Sequence, residues 1–239
     1  MVRCDGRAWD QIRPLSLQRG FTRTAPGSVL VRWGETHVLV TATIQEEVPP
    51  FLKGQGSGWL TAEYRMLPGS TTPRQPRETT KLSGRTAEIQ RFIGRSLRAG
   101  LDLQALGSRT ITVDADVLQA DGGTRTAAIT GGYVAVQDAI QYLRQQGVLT
   151  QSPVIHGVMA VSVGICQGQV MVDLCAPEDN HASVDMNIVL THQGDLIEIQ
   201  GTAEGSPFSL GQLQELVSLA QRAGEAIKTR QEECLRADT

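Results

Sequence analysis

Three short stretches of the sequence hold residue types suited to binding an anion and a metal ion. Residues 118 to 128, LQADGGTRTAA, stand between a β-type run, TITVDADVLQ, and an apolar, helix-like run, AAITGGYVAVQDAI. A helix start exposes unpaired backbone N–H groups and the positive end of the macrodipole, so it attracts anions. Gly122 and Gly123 let the backbone approach such an anion closely, and Thr124 and Arg125 add a hydroxyl and a guanidinium fork. Ser83-Gly84-Arg85, within KLSGRTAEIQR, repeats a glycine and an arginine at a second helix start. The third stretch, CAPEDNHASVDMN at residues 175 to 187, sets Asp179 and Asp185 in one loop with Glu178 adjacent.

Paired carboxylates at a loop rim suit a hard divalent cation such as magnesium, which takes one or two carboxylates plus substrate oxygens. Taken singly, each stretch admits a plainer reading. The acidic loop would be solvated, with its aspartates capping turns, and the Ser83-Gly84-Arg85 segment would be a helix entry with a surface arginine. Together they fit a phosphate held by backbone and arginine with a metal facing it.

The elements that must position these residues follow from periodicity. SVLVRW and THVLVTATI flank Gly34-Glu35 as a hairpin, PPFLKGQGSG is a loop, and WLTAEYRML resumes a strand. PGSTTPRQPRETT, with three prolines, forms a polar loop holding Arg74 and Arg77, expected to be mobile when empty. From about Thr86 the pattern turns helical. Ile89, Phe92, Ile93 and Leu97 make an apolar stripe, with Glu88, Arg91, Arg95 and Arg98 mostly off it. SRTITVDADVLQ is a strand with Ile111, Val113, Ala115 and Val117 on one face and Thr110, Thr112, Asp114 and Asp116 on the other. The following helix reaches about Leu143, and Gly131-Gly132 within it predicts close approach to another backbone.

The second half is β-rich: VIHGVMAVSVGIC, a Gln167-Gly168 turn, QVMVDLC, then MNIVLT and DLIEIQG around Gln193-Gly194. A last helix begins at Ser209 with a capping box to Gln212 and buries Leu213, Leu216, Val217, Ala220 and Ile227. Strand groups alternate with three long helices and no linker divides them, so one α+β or α/β domain is expected over 1–239.

Composition sets the limits on function. Hydrophobic residues make up 40% and charged residues 20% of the 239, an ordinary globular balance, while aromatics are only 4%. A net charge of −3 argues against a chain coated in positive charge for bulk nucleic-acid binding, yet leaves room for a local arginine-lined site. Cys4, Cys166, Cys175 and Cys234 form neither a disulfide framework nor a zinc pattern. The start, MVRCDGRAWDQIRPL, has no apolar core of a signal peptide, and no stretch approaches the ~18 apolar residues of a membrane span. A soluble, reduced, cytoplasmic protein without membrane contact is expected. His37 and His156 lie in strand-like runs, His181 in the acidic loop, and no histidine has metal-ligand spacing. Neither a G-x-S-x-G elbow nor a P-loop occurs.

CDGR (4–7), GSVLVRWGETHVLVTATI, GWLTAEYRMLP, SGRTAEIQRFIGRSLRA, VDADVLQADGGTRTAAITG and DMN (185–187) resemble, in order, the bacterial ribonuclease PH family. The match runs from about residue 3 to about 228, leaving 229–239 as a C-terminal tail. The resemblance implies a phosphorolytic 3′→5′ exoribonuclease and tRNA nucleotidyltransferase. It would trim tRNA precursors and other RNA 3′ ends with inorganic phosphate as co-substrate and would also run the reverse, nucleotide-adding reaction. It implies a single ribonuclease PH domain with the βαβα arrangement of a ribosomal protein S5 domain, in a homohexamer built as a trimer of dimers. By the same resemblance, Arg85, Gly123, Thr124 and Arg125 hold phosphate, and Asp179 and Asp185 are catalytic and hold magnesium. Arg74 and Arg77 contact RNA by the same resemblance, and Arg91 is placed with them at the RNA channel.

Two departures stand out. The family commonly reads MLPR where this chain reads MLPG, so Gly69 lacks an RNA-contacting arginine and Arg65 lies four residues before it. Cys175-Ala176-Pro177 replace the family's usual aspartate and aromatic before the acidic pair. Alternatives are a non-catalytic RNA-binding ring subunit, polynucleotide phosphorylase (which needs two cores) and a metabolite binder with a bare phosphate site. The intact SGR and GTR segments with both aspartates favour the enzyme.

Overall fold

A computed structural model describes residues 3–79 and 81–237. In chain order the strands are β1 Leu15–Arg19, β2 Gly27–Trp33, β3 Thr36–Gln45, β4 Trp59–Met66, β5 Thr110–Gln119, β6 Val158–Cys166, β7 Gln169–Val172, β8 Val184–Thr191 and β9 Leu196–Ala203. The helices are α1 Gly84–Arg98, α2 Leu103–Leu106, α3 Thr124–Gln145, α4 Ala176–Asp179 and α5 Leu210–Arg236. The loop over 49–58 also contains a short 3-10 turn, Pro50–Leu52.

Two sheets result, ordered β1-β2-β3-β5-β4 and β7-β6-β8-β9. All pairings are antiparallel except β4 with β5. A parallel pair needs a long crossover, and α1 lies in the connection from β4 to β5. This is a mixed α+β fold. One continuous apolar core joins Val29, Val40 and Val113 of the first sheet to Val161, Val163 and Ile188 of the second.

α3 lies between the sheets, touching β2 and β3 on one side and β6 on the other. Its sequence is apolar nearly all round from Thr126 to Val136, which suits burial on both faces. The glycines within it answer to side chains rather than to backbone, correcting the sequence expectation. A Cβ at Gly131 would strike the Val31 side chain, and one at Gly132 would come within 3.0 Å of Leu97. The close backbone approach falls instead at Gly27, which abuts the Ala135 carbonyl.

The stripe Ile89, Phe92, Ile93 and Leu97 of α1 is buried as expected, and Ser83 caps the helix by accepting from Thr86 N–H at 3.1 Å. α5 has the expected Ser209–Gln212 capping box. It runs on to Arg236, so residues 229–236 are helical. Gln231 is fully buried there and donates to the Thr130 and Val158 carbonyls at 2.8 and 3.0 Å, which ties the last turns to α3 and β6. The remaining tail residues, Asp238 and Thr239, lie outside the described residues. His156, expected in a strand, sits in an exposed bend before β6. No helix is long and apolar enough to cross a membrane among the described residues.

Candidate active site

The glycine turn between β5 and α3 is shaped by two residues in the left-handed region, Gly122 at φ 74° and Gly123 at φ 66°. Any side chain would be strained there. Space forbids one as well. A Cβ at Gly122 would meet the Leu174 carbonyl and come within 3.0 to 3.1 Å of the Cys175–Ala176 backbone. The turn therefore packs directly on the segment leading to Asp179. Thr36 donates to the Gly122 carbonyl at 2.6 Å, and Asp121 accepts from Ala176 N–H at 3.0 Å.

Gly123 is the N-cap of α3, and no side chain caps that helix start among the described residues. Its first-turn N–H groups are left for an external anion. Thr124 exchanges a hydrogen bond with the Tyr64 hydroxyl at 2.8 Å. The Arg125 guanidinium donates to Gln200 Oε1 at 3.1 Å and lies 3.5 Å from Glu88. Arg85 enters from the first turn of α1.

The carboxylates approach from the second sheet. Asp179 ends α4, and Asp185 lies on β8 opposite Gly164, two residues from Asn187 and on the same face. Burial raises the Asp179 carboxyl, opposed by Arg85 and Arg125. Burial and then the neighbouring Asp179 push Asp185 up to about 6, again opposed by Arg125 and Arg85. Two hard carboxylates that resist joint ionisation fit a site completed by a hard cation such as magnesium.

A cleft of about 650 Å³ unites Arg85, Gly123, Thr124, Arg125, Asp179 and Asp185. Arg77 and Arg65 reach its lining too. Arg74 and Arg91 are exposed but do not line it. His181 is exposed at the loop and bonds to the Pro177 carbonyl at 2.7 Å. The loop bearing Arg77 is strapped to α1 by Glu78, which accepts from Ser83 N–H at 3.3 Å and from the Thr86 hydroxyl at 3.0 Å.

Sequence reasoning missed the buried hub behind the cleft. Asp173, 2% exposed, accepts from Arg13 N–H at 2.6 Å, Arg13 Nη2 at 2.7 Å and Trp33 Nε1 at 3.1 Å. Arg13 also donates to the Asp121 carbonyl, reaching the glycine turn. Arg3, equally buried, donates to both oxygens of Glu178 at 2.8 and 2.6 Å. A carboxylate closing the apolar run QVMV was a visible signal. Its partner 160 residues earlier was not.

Comparison with known proteins gives one answer. Family models of the 3′ exoribonuclease family match residues 11–140 as its domain 1 and residues 156–223 as its domain 2. The chain is 64% identical to a ribonuclease PH of Synechococcus sp. (strain JA-2-3B'a(2-13)) over 98% of its own length and 97% of the relative's. It is 52% identical to the ribonuclease PH of Corynebacterium kroppenstedtii, covering 98% of this chain and 93% of that one. Among solved structures, rice (Oryza sativa) Rrp46 superposes with TM-score 0.80 at 19% identity, covering 98% of this chain and all of that one. An Archaeoglobus fulgidus exosome with RNA bound to the active site superposes with TM-score 0.81, also at 19% identity, over 95% of this chain and 92% of that one. At that identity the two structures speak for the fold alone. With the family models and close relatives spanning nearly its whole length, the chain belongs to the 3′ exoribonuclease family.

Proposed function

We propose that this chain is a phosphate-dependent 3′→5′ exoribonuclease that trims the tails of tRNA precursors, releases nucleoside diphosphates and also runs the reverse, nucleotide-adding reaction. The observation that carries the reading is the meeting, in one cleft, of a cationic helix start with a pair of half-buried carboxylates. The curated relatives named ribonuclease PH support it.

The chemistry follows from the residues. Inorganic phosphate is already an anionic nucleophile, so the main task is to bring it against an RNA phosphodiester despite mutual repulsion. Arg85, Arg125 and the uncapped N–H groups of α3 offset the charge of the attacking phosphate. Gln200 and Glu88 orient the Arg125 guanidinium, and Tyr64 fixes the Thr124 hydroxyl. A phosphate oxygen bonds to the terminal phosphorus, the bond to the preceding 3′ oxygen breaks, and the proton carried by phosphate ends on that oxygen. Asp179 and Asp185 are the residues that would hold magnesium, which when bound supplies positive charge beside the scissile phosphate and leaving oxygen.

Arg77 and Arg65, which line the cleft, would meet RNA phosphates, and the exposed Arg74 and Arg91 would add positive charge outside its lining. Operation in the cytoplasm as a ring of three dimers rests on the sequence resemblance and on a net charge of −3 that leaves a lone RNA binder ill served. Light scattering that finds only single chains would contradict the ring.

The test is degradation of a tRNA precursor with a short 3′ tail, with and without phosphate, in wild type and Asp185→Asn. Nucleoside diphosphates appear only with phosphate, and the variant loses activity on the order of 1,000-fold, as expected when several kcal/mol of charge stabilisation go. Monophosphates formed without phosphate would mean hydrolysis. Binding without product would favour the non-catalytic subunit.

A further inference from the structure

Cys4 and Cys175 are 171 positions apart in sequence, yet their Sγ atoms lie 2.9 Å from each other. A disulfide closes at ~2.05 Å, so less than 1 Å of movement separates the pair from a bond. We propose that these two thiols form a modification site which a peroxide converts into an intramolecular disulfide, tying the N-terminal segment to the helix that carries Asp179.

The pairing is built rather than incidental. Arg3, next to Cys4, is buried and donates to the Val172 carbonyl at 2.9 Å, the Asp173 carbonyl at 2.8 Å and both Glu178 oxygens. That docking fixes where Cys4 stands. Both cysteines line an open cavity of about 630 Å³ together with Arg13, so a small oxidant has access. Cys4 is exposed and Cys175 is buried, which divides the roles.

The Cys4 thiol gives up its proton and its sulfur attacks one peroxide oxygen; the O–O bond breaks, and the departing hydroxide takes that proton as water, leaving Cys4 as the sulfenic acid. The Cys175 sulfur then attacks the Cys4 sulfur. The S–S bond forms, the S–O bond breaks, and the departing hydroxide takes the Cys175 proton as a second water. Two thiols and one peroxide thus give one disulfide and two waters.

The other thiols are set apart from this chemistry. Cys166 is buried and donates to the Glu178 carbonyl at 3.5 Å, and Cys234 is half-buried and donates to the Leu17 carbonyl at 3.2 Å. Glu178 lies near enough to make a three-ligand metal set with the two sulfurs. Both its oxygens are taken by Arg3, which favours the disulfide over a cation.

Closing the bond reaches the active site through α4. Cys175 and Glu178 form the capping box of that helix, and the Glu178 carboxylate accepts from Cys175 N–H at 3.1 Å. Turning the sulfur toward Cys4 gives up its side of the cap, shifts the backbone on which Gly122 packs, and moves Asp179. Cys175 is here a positioning residue. A displacement of ~1 Å at a reacting centre can cost on the order of 100-fold, so we expect oxidation to lower phosphorolysis by ~10-fold or more.

The activity readout rests on the function proposed above, whereas the chemical readout does not. Full-length protein is reduced, treated with hydrogen peroxide, alkylated and analysed by intact mass and peptide mapping. The expected result is one cross-linked pair containing Cys4 and Cys175 with loss of two hydrogens, reversed by dithiothreitol together with the activity loss. Cys4→Ser is expected to keep its basal activity and to keep it under peroxide. Sulfinic acid at Cys4 with Cys175 still alkylatable after denaturation would overturn the site. A cross-link that leaves phosphorolysis unchanged, or equal peroxide sensitivity in Cys4→Ser, would overturn its tie to Asp179. Reduced protein without any phosphorolysis would count against the proposed function and leave the cross-link measurement intact.

Discussion

The inner wall of the cleft, with the glycine turn and the two aspartates, is fastened by buried side chains, whereas the outer wall at residues 71–79 is mostly exposed and joins α1 through Glu78. The inner wall draws on both sheets and on the N-terminal segment, linked through Arg13, Asp173, Arg3 and Glu178. Electrostatic stabilisation requires groups that are already in place when charge develops, and a buried network supplies that. Under the proposed function, a wall that passes successive nucleotides needs attraction without a fixed register, to which exposed arginines on a loop are suited. On the proposed function, buried contacts are thus concentrated where bonds would change, and exposed side chains where the strand would slide.

The largest way to break this contrast is at the hub. Asp173→Asn removes the charge facing buried Arg13, and breaking such a pair costs ~3–5 kcal/mol. Chemical denaturation will read that loss, and activity will fall with it because Arg13 also holds the Asp121 carbonyl. A loss below ~1 kcal/mol would mean the inner wall is not held this way.

Next comes pH. Burial and Asp179 raise the Asp185 carboxyl from 3.8 to about 6. Between those values the folded chain binds this proton more tightly than the unfolded chain, so stability from this group is lost as pH rises through the window. Compared with Asp185→Asn, metal-free wild type will lose relative stability from pH 3.8 to about 6 and then level off. A flat difference would show an Asp185 with no raised affinity for its proton. The magnesium proposed for this site needs the ionised form, so its binding is expected to strengthen over the same range.

On the outer wall the effects are smaller and graded. Arg77→Ala will weaken RNA binding and reduce the salt slope by about 1, as loss of one phosphate contact should, without changing the KM for phosphate. Arg74→Ala and Arg91→Ala, outside the cleft lining, will do less. Equal effects from all three would place the RNA path farther from the cleft. The smallest change is a gain. A Cβ at Gly69 meets nothing within 4 Å, so Gly69→Arg can begin its side chain without a clash and is expected to add one phosphate contact, steepening the salt dependence by about 1. An unchanged slope would mean that position 69 faces away from RNA.

Legibility in the sequence followed the same divide. Alternation in TITVDADVLQ, the stripe of α1 and the Ser209 capping box placed elements within a few residues, because they depend on local periodicity. The glycine turn was readable because only glycine suits two successive left-handed residues packed on another segment. The Arg13–Asp173 and Arg3–Glu178 pairs and the Cys4–Cys175 contact were hidden, since spacing says nothing about residues 160 to 175 positions apart. The glycines of α3 misled because a small residue in a helix marks close packing without saying whether backbone or a valine fills the gap.

The most direct test of the account follows the phosphorus atom. Inorganic phosphate carrying a phosphorus radiolabel is given to the enzyme with an unlabelled tRNA precursor and magnesium. The account predicts label in the β-phosphoryl group of the released nucleoside diphosphates, lost in Arg125→Ala at low phosphate and partly restored at high phosphate. Label that stays wholly in inorganic phosphate while nucleoside monophosphates accumulate would contradict it.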